Sequence, residues 1–459
     1  MNTNPKRVVV FGMARSGIAA AKLLSSHGYV VTINDKKTEE QFEGKLDELR
    51  QLPGVRFALG QPVDGLLADA DLLVVSPGIP AASAPVQKAL AMGVEVIGEL
   101  ELAYRLSKGD MVCITGTNGK TTTTTLTKEI FANAGKTAYA VGNIGDPYSD
   151  AALMAKDGDA IVCEVSSYQC ETISAFHPHV AAILNITEDH LNRHGTMEVY
   201  YGLKERVFAH CDENDFVVLN YEDPITRGMA GRVTRARVAW FSRLHEVDFG
   251  AFVRDGEIVF GERENPQPVC RADEVFIPGP HNLENALAAT AVAMCAGVDA
   301  ATVAHTLKTF RGVEHRIETV RVLDGVTWIN DSKGTNVDST IKAIQTMRAP
   351  TVLIAGGSDK HTDFTPMVEE MKRGPITAAV LIGDTAEQLR QTMEKQGFSP
   401  VVMAGYDFAH ALDEARRLAV PGGNVLLSPA CASFDMFTDF ENRGEIFKRM
   451  VNAMEGAGA

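Results

Sequence analysis

One stretch limits what the rest of the chain can become: Met111-Val112-Cys113-Ile114-Thr115-Gly116-Thr117-Asn118-Gly119-Lys120-Thr121-Thr122. A short apolar run stops at a glycine-bearing turn. Lys120 and Thr121 follow at once, and a helix-compatible run continues from Leu126 to Ala134. Strand, glycine turn and helix in that order make a phosphate cradle, because backbone N–H groups can approach phosphate oxygens and the positive end of the helix faces the anion. Lys120 is placed to neutralise the β/γ-phosphates, and the Thr121 hydroxyl to ligate Mg²⁺. Gly116, Thr117, Asn118, Gly119 and Thr122 complete the candidate loop. The spacing is a variant of G-x-x-x-x-G-K-[ST]: Ile114 stands where the first glycine is expected, and Gly116 lies closer to the lysine. The competing reading is a plain glycine turn between strand and helix. Gly-Lys-Thr in a strand-to-helix context favours the cradle.

A phosphate-binding domain of this kind needs its own core, and 459 residues suffice for two to four such domains. The net charge of −15 argues against nucleic acid or an anionic membrane as the main partner, so anionic substrates must meet Lys and Arg in local pockets. The seven cysteines show no C-x-x-C pair and no metal spacing, which reads as reduced, mostly buried thiols. No apolar stretch is long enough to span a bilayer. Lys6-Arg7 precedes an apolar run, but Gly12, Arg15 and Gly17 interrupt it, so a first strand and turn fit better than a signal peptide. The expectation is a cytoplasmic enzyme.

The chain reads as three α/β domains, residues 1–100, 101–312 and 313–459. In the first, Val8 to Phe11 is a buried-type strand leading into Gly12-Met13-Ala14-Arg15-Ser16-Gly17 and an alanine-rich helix. The next strand, Tyr29 to Ile33, ends at Asn34-Asp35. This looks like the opening of a Rossmann unit, with Ala14 in place of the middle glycine. A nucleotide diphosphate resting on the helix start at Ser16-Gly17 fits better than a nicotinamide cofactor. Asp35 is either a ribose or base contact or a surface loop acid. A further turn, Ser76-Pro77-Gly78-Ile79-Pro80, follows the strand Leu72 to Val75, at a strand end where ligands collect.

In the second domain, Asn143 follows the strand Ala138 to Val141 and either donates to an anion or holds a turn. Glu164 ends the apolar run Ile161-Val162-Cys163, where a second Mg²⁺ contact belongs; the alternative is a strand-end acid facing water. His190, in Thr187-Glu188-Asp189-His190, fits a metal ligand or a capping residue. Lys204 lies on an expected helix from Met197 to His210, where a solvated surface position is the ordinary outcome. Asn282 and Asn285 are one turn apart at a helix start, to cap it or to bond an adenine edge. The third domain alternates strand and helix, a doubly wound pattern with polar strand ends.

Several separated motifs together resemble the Mur ligases, which build the peptide stem of the bacterial cell wall. They are Gly116-Thr-Asn-Gly-Lys-Thr-Thr122, Glu164-Val-Ser-Ser-Tyr-Gln169, Asn185-Ile-Thr-Glu-Asp-His190, Gly279-Pro-His-Asn-Leu-Glu-Asn285, His315-Arg316, Asn330-Asp-Ser-Lys-Gly-Thr-Asn336 and Leu427-Ser-Pro-Ala-Cys-Ala-Ser433. The last points to the D-glutamate-adding member. The Asp-Asn-Pro-Arg motif of the diaminopimelate- or lysine-adding member is absent, and the loop reads Thr-Asn-Gly-Lys, not Thr-His-Gly-Lys.

The resemblance implies a Rossmann-like N-terminal domain, a central ATPase-like domain and a Rossmann-like C-terminal domain. It implies ATP and two Mg²⁺ ions as cofactors, and UDP-N-acetylmuramoyl-L-alanine and D-glutamate as substrates of a monomer. Lys120, Glu164, His190 and Lys204 become the catalytic group, with Thr121, Glu164, His190 and a carbamylated Lys204 around the metals. Asn282, Asn285, Arg316 and Asp331 join the loop in holding ATP. Arg15, Ser16, Asp35, Lys37, Ser76, Gly78, Asn143, Ser166, Gln169 and His190 face the UDP-linked substrate. Lys333, Thr335, Lys360, Ser433, Phe434 and Phe440 surround the amino acid; the family commonly has Leu where Phe434 stands.

The chemistry this implies is phosphorylation of a carboxylate to an acyl phosphate, then attack by a neutral amine to give an amide. Cations and a lysine stabilise the transferred charge, and closure of the third domain excludes water. Two rivals from other classes are a nicotinamide dehydrogenase built on the N-terminal turn and an ATP-hydrolysing switch protein.

Overall fold

A computed structural model describes residues 6–42, 46–358 and 362–456. Three β-sheets, each carrying helices, organise it. The first comprises β1 (Arg7–Phe11), β2 (Val30–Asp35), β3 (Val55–Leu59), β4 (Leu72–Val75) and β5 (Glu95–Gly98), all parallel, in the order β3-β2-β1-β4-β5. Its central strands β1 and β4 are short apolar runs buried on both faces, as a parallel sheet between helices requires, while the edge strand β3 is only partly buried. The strand order reverses between β1 and β4, so the turns after Phe11 and after Val75 open into one crevice.

The second sheet is β6 (Asp110–Thr115), β7 (Ala138–Gly142), β8 (Ala160–Glu164), β9 (Val180–Ile183), β10 (Phe216–Asn220), β11 (Arg237–Ser242), β12 (Phe249–Arg254), β13 (Glu257–Glu262) and β14 (Gln267–Arg271). The order is β14-β13-β12-β11-β10-β9-β6-β8-β7, parallel from β7 through β12 and antiparallel at β12-β13-β14. The stretch from Phe216 to Ile277, chemically silent in the sequence, thus supplies the outer half of this sheet. Register decides the site: Ile114 pairs with Glu164, and Thr115 with Ile183. The ends of β8 and β9 therefore flank the turn leaving β6.

The third sheet is β15 (Glu318–Leu323), β16 (Val326–Asn330), β17 (Thr351–Gly356), β18 (Ile376–Ile382), β19 (Val401–Gly405) and β20 (Asn424–Leu427), in the order β15-β16-β20-β17-β18-β19. Only β15 runs antiparallel, as an edge hairpin with β16. By compactness, residues 1–276 and 282–310 form one unit, and 277–281 with 311–459 a second.

Local limits differ modestly from the sequence expectations. The helix bearing Lys204 is α-helical over Met197–Glu205 and tightens to 3-10 geometry over Arg206–Phe208. The helix after the polar loop of the third sheet spans Val337–Thr346, capped by the Asn336 side chain on the Ser339 N–H at 2.8 Å. The helix that begins around Asn282 and Asn285 spans Pro280–Cys295. All seven cysteines are free and buried. Among the described residues no helix is long and apolar enough to cross a membrane.

Candidate functional site

The turn leaving β6 closes on the helix Lys120–Asn133, and two glycines permit its path. Gly116 has φ +145°, and a Cβ there would lie 3.0 Å from Leu184 Cβ and 3.2 Å from the Asn185 nitrogen. Gly119 has φ +84°, and a Cβ would collide with the Asn285 amide oxygen. The segment after β9 clamps the turn from outside. The Asn118 N–H donates to Asn185 Oδ1 at 2.8 Å, Asn185 Nδ2 donates to the Asn118 carbonyl at 2.9 Å, and the Thr187 N–H donates to Thr117 Oγ1 at 3.0 Å. The sequence motif contained Asn185, but its brace function is visible only in three dimensions.

Lys120 folds back over the turn, donating to the carbonyls of Thr117 at 2.7 Å and Gly116 at 3.0 Å. Thr121 and Thr122 are buried in the first helical turn, and the Thr122 hydroxyl has no hydrogen-bond partner. Asn285 accepts from Thr123 Oγ1 at 3.3 Å and donates to Asn282 Oδ1 at 3.2 Å, so both asparagines are tied to the helix behind the phosphate loop.

Glu164 ends β8 and is 1% exposed. Its Oε1 accepts from Asn143 Nδ2 at 2.7 Å, and Oε2 has no partner. A buried carboxylate oxygen without a donor is costly, and a hard divalent cation is the group that satisfies it. The residues present therefore fit Mg²⁺. Asn143 proves to be the carboxylate's holder; its own N–H also bonds the Glu164 carbonyl at 2.9 Å.

Lys204 is not a surface residue. It is 2% exposed, donates to the Gly116 carbonyl at 2.8 Å, and lies 4.8 Å from the Tyr200 ring centre. Burial, reinforced by the nearby Lys120 ammonium, pushes its amine down to about 7. His190 takes the left-handed backbone, φ 54°, at the start of the short helix Leu191–His194. Its Nδ1 is 3.0 Å from the Tyr168 hydroxyl, and its Nε2 3.4 Å from Asp189 Oδ2. Ser166 and Gln169 form a reciprocal capping box on the helix Ser167–Cys170. Tyr168 stands within the Glu164–Gln169 motif, but nothing in the sequence marks it as the partner of His190.

In the first sheet's crevice, the Asp35 carboxylate accepts from the Met13 N–H at 2.7 Å and the Lys37 N–H at 3.0 Å. Ser76 Oγ donates to the Gly12 carbonyl at 3.1 Å. A cavity of about 300 Å³ opens here, lined by Gly12, Asp35, Lys36, Gly78 and Ile79 among others. Lys36 lines this cavity, whereas Lys37 lies 6.0 Å from the Phe42 ring centre. Ser16 sits in the first turn of the helix Arg15–Ser26. Arg15 is exposed and reaches Asp146 at 3.5 Å.

The unit with the third sheet carries its own polar cluster. Asp331 is 2% exposed and accepts from Ser428 Oγ at 2.7 Å. Burial lifts its carboxyl to about 6 against the pull of Arg316. Arg316 has a buried Nε with no hydrogen-bond partner. Lys333 Nζ lies 4.5 Å from the Phe440 ring centre, and the Thr335 N–H bonds the Lys333 carbonyl at 2.9 Å. Ser433 is buried, and Phe434 is 74% exposed. Lys360 lies outside the described residues. Arg443, unmarked in the sequence, is fully buried and fastens both loops, through Ser332 Oγ at 2.9 Å, the Ser332 carbonyl at 2.8 Å and the Cys431 carbonyl at 3.3 Å.

A lysine-bearing phosphate loop beside an unsatisfied carboxylate, at the carboxyl ends of a parallel sheet, defines an α/β protein that handles nucleotide phosphates. Comparison with known proteins places that class more narrowly. Residues 6–98, 114–293 and 315–431 match models of, in turn, the Mur ligase MurD-like N-terminal domain, the Mur ligase middle domain and the Mur ligase glutamate ligase domain. The chain is 45% identical over 453 residues to the UDP-N-acetylmuramoylalanine–D-glutamate ligase of Thermoanaerobacter pseudethanolicus, covering 98% of this chain and 99% of that one. It is 42% identical to the ligase of the same name from Clostridioides difficile, covering 99% and 100%. In fold it resembles the UDP-N-acetylmuramate–alanine ligase of Thermotoga maritima, with TM-score 0.61 and 19% identity over 98% of this chain and 100% of that one. The chain belongs to the Mur ligase family.

Proposed function

We propose that this protein is an ATP-dependent ligase that joins D-glutamate to UDP-N-acetylmuramoyl-L-alanine, in the cytoplasmic synthesis of peptidoglycan precursors. The observation that carries the reading is 45% identity across 98% of the chain to a ligase named for those two substrates. The site geometry supports it independently. The division of labour is residues 1–100 for the UDP-linked substrate, 101–312 for ATP and 313–459 for the amino acid, in a monomer.

Within the central domain, the backbone N–H groups from Gly116 to Thr122 and the Lys120 ammonium bind the ATP phosphates, with Asn282 and Asn285 toward the adenine. Lys120 leaves its two loop carbonyls for the phosphate oxygens, a stronger, charge-assisted partner. Thr121, Glu164, His190 and a carbamylated Lys204 would hold two Mg²⁺ ions, which would supply charge neutralisation for transfer of phosphate to the substrate carboxylate. An amine near neutrality is the form that reacts with CO₂, so the depressed basicity of Lys204 favours that modification. The turns at Arg15–Ser16, Asp35–Lys37 and Ser76–Gly78 take the UDP end, with Asn143, Ser166, Gln169 and His190 toward the muramoyl group. Arg316 and Asp331 contact the nucleotide, and Lys333, Thr335, Lys360, Ser433, Phe434 and Phe440 contact D-glutamate. The product is an amide formed when the free amine displaces phosphate from the activated carboxyl.

The test is phosphate release with UDP-N-acetylmuramoyl-L-alanine and a panel of D- and L-amino acids, with ¹⁸O in the substrate carboxylate. D-Glutamate alone should drive turnover, and ¹⁸O should appear in the phosphate. Unlabelled phosphate, or turnover indifferent to the amino acid, refutes the reading. Lys204→Ala should lose activity and regain part of it with added short carboxylates; rescue by primary amines alone contradicts carbamylation.

A further inference from the structure

Three residues beyond His190, the Arg193 guanidinium makes contacts that belong to neither phosphate binding nor metal binding. Its Nε and Nη2 grip the two oxygens of Glu171, both at 2.8 Å. Its Nη1 and Nη2 also reach the carbonyls of Gly78 at 3.4 Å and Ile79 at 3.3 Å, on the turn that lines the first sheet's cavity. Its flat face lies 4.2 Å from the Tyr168 ring centre, and the Tyr168 hydroxyl is the partner of His190 Nδ1 at 3.0 Å. Glu171 closes the circuit by accepting the Ala81 N–H at 3.0 Å. The pair is largely hidden, with side-chain exposures of 14% and 11%.

We propose that Arg193 is a positioning residue that sets the Gly78–Ala81 turn of the UDP-side crevice and the His190 imidazole in one fixed frame. The inference rests on the functional reading above, and adds to it the device that keeps both ends of the UDP-linked substrate's seat in register. A planar fork bonds a carboxylate with two parallel hydrogen bonds, keeps N–H groups for two carbonyls, and stacks on an aromatic ring at the same time. An ammonium satisfies the charge but not the fork or the stack. Loss of the fork frees the 78–81 turn and the Tyr168 ring together. A displacement of about 1 Å at a substrate-positioning element costs on the order of a hundredfold in rate.

The test uses the full chain and two variants, Arg193→Lys and Glu171→Gln. Calorimetry measures UDP-N-acetylmuramoyl-L-alanine and a non-hydrolysable ATP analogue separately; kinetics give kcat, KM and the half-saturating Mg²⁺ concentration. Arg193→Lys should weaken the UDP-linked substrate about tenfold or more and raise the Mg²⁺ requirement, while ATP-analogue binding stays within about twofold. Glu171→Gln should move the same quantities in the same direction, and the double variant should be no worse than the lysine variant, because the two act as one unit. Unchanged UDP-substrate and Mg²⁺ parameters in either variant, or equal losses for both ligands, overturn the proposal. Wild-type protein that binds no UDP-linked substrate refutes the functional reading itself, before any variant enters.

Discussion

Replacing Glu164 with Gln should make the metal-free protein more stable while removing its response to Mg²⁺. Glu164 is 1% exposed, with one oxygen bonded by Asn143 and the other unpartnered. A buried acceptor left without its hydrogen bond costs about 1–3 kcal/mol, and more when charged. Glutamine keeps the Asn143 contact through its amide oxygen and removes the charge, but its amide nitrogen still lacks an acceptor. The net gain should therefore be about 1–2 kcal/mol, in the lower part of that range. In the wild type, Mg²⁺ at ten times its dissociation constant contributes about 1.4 kcal/mol to the native state. At roughly 2–4 °C per kcal/mol for domains of this size, both effects are resolvable in a melting curve. Scanning calorimetry of the two proteins, with EDTA and with Mg²⁺, gives four temperatures. With EDTA the variant should melt higher; with Mg²⁺ only the wild type should shift. A variant that melts lower without metal, or that gains as much from Mg²⁺ as the wild type, would show that the unpaired oxygen is not held for a cation.

Other expectations follow from single residues. Gly119→Ala places a side chain at φ +84° and onto Asn285; the left-handed backbone alone costs about 1–2 kcal/mol, and the KM for ATP should rise at least about tenfold in steady-state assays. Burial raises the Glu99 carboxyl from 4.5 to about 7, so the folded chain keeps a proton that the unfolded chain releases, and stability falls as pH rises from about 4.5 through about 7. Glu99→Gln should match the wild type near pH 4 and exceed it by about 3 kcal/mol at pH 8 in denaturant unfolding; a constant difference across pH removes the titration as its cause. Phe434 is 74% exposed, so Phe434→Ser should change stability by less than about 0.5 kcal/mol yet raise the KM for D-glutamate; an unchanged KM takes this ring out of the amino-acid site.

Most of the parallel strands were legible because they are compact apolar runs, and the phosphate loop because its residues are contiguous; β3, interrupted by Arg56, and β12, interrupted by Gly250, were not. Position relative to a distant strand was not. Lys204 has the sequence surroundings of a surface lysine, since Glu198 and Glu205 share its helix; only the packing of that helix against the Gly116 turn buries it. Asn143 read equally well as a turn residue or an anion donor. The pairing of Gly142 with Glu164 puts its amide on that carboxylate, and pairing partners 22 residues apart leave no local trace. Arg193 and Arg443 belong to the same class, because an arginine that bonds backbone carbonyls from remote segments has no partner to be read beside it.

Electrostatics gives these burials a common logic. The chain carries a net charge of −15, yet its central sheet end gathers two lysines within reach of the Gly116 carbonyl. Those ammonium groups repel, and the burial of Lys204 drives its amine toward neutrality. Glu164 relieves the repulsion only in part, through its field on Lys204, because its own hydrogen bonding goes to Asn143 on one oxygen and to no partner on the other. Each group is thus held away from its own best electrostatic arrangement, as functional sites commonly are. Adding an anionic triphosphate alone would satisfy Lys120 but worsen the position of Glu164; adding a divalent cation alone would do the reverse. Only the two together balance the site, which is why nucleotide and metal should bind with positive coupling, each tightening the other by the same factor.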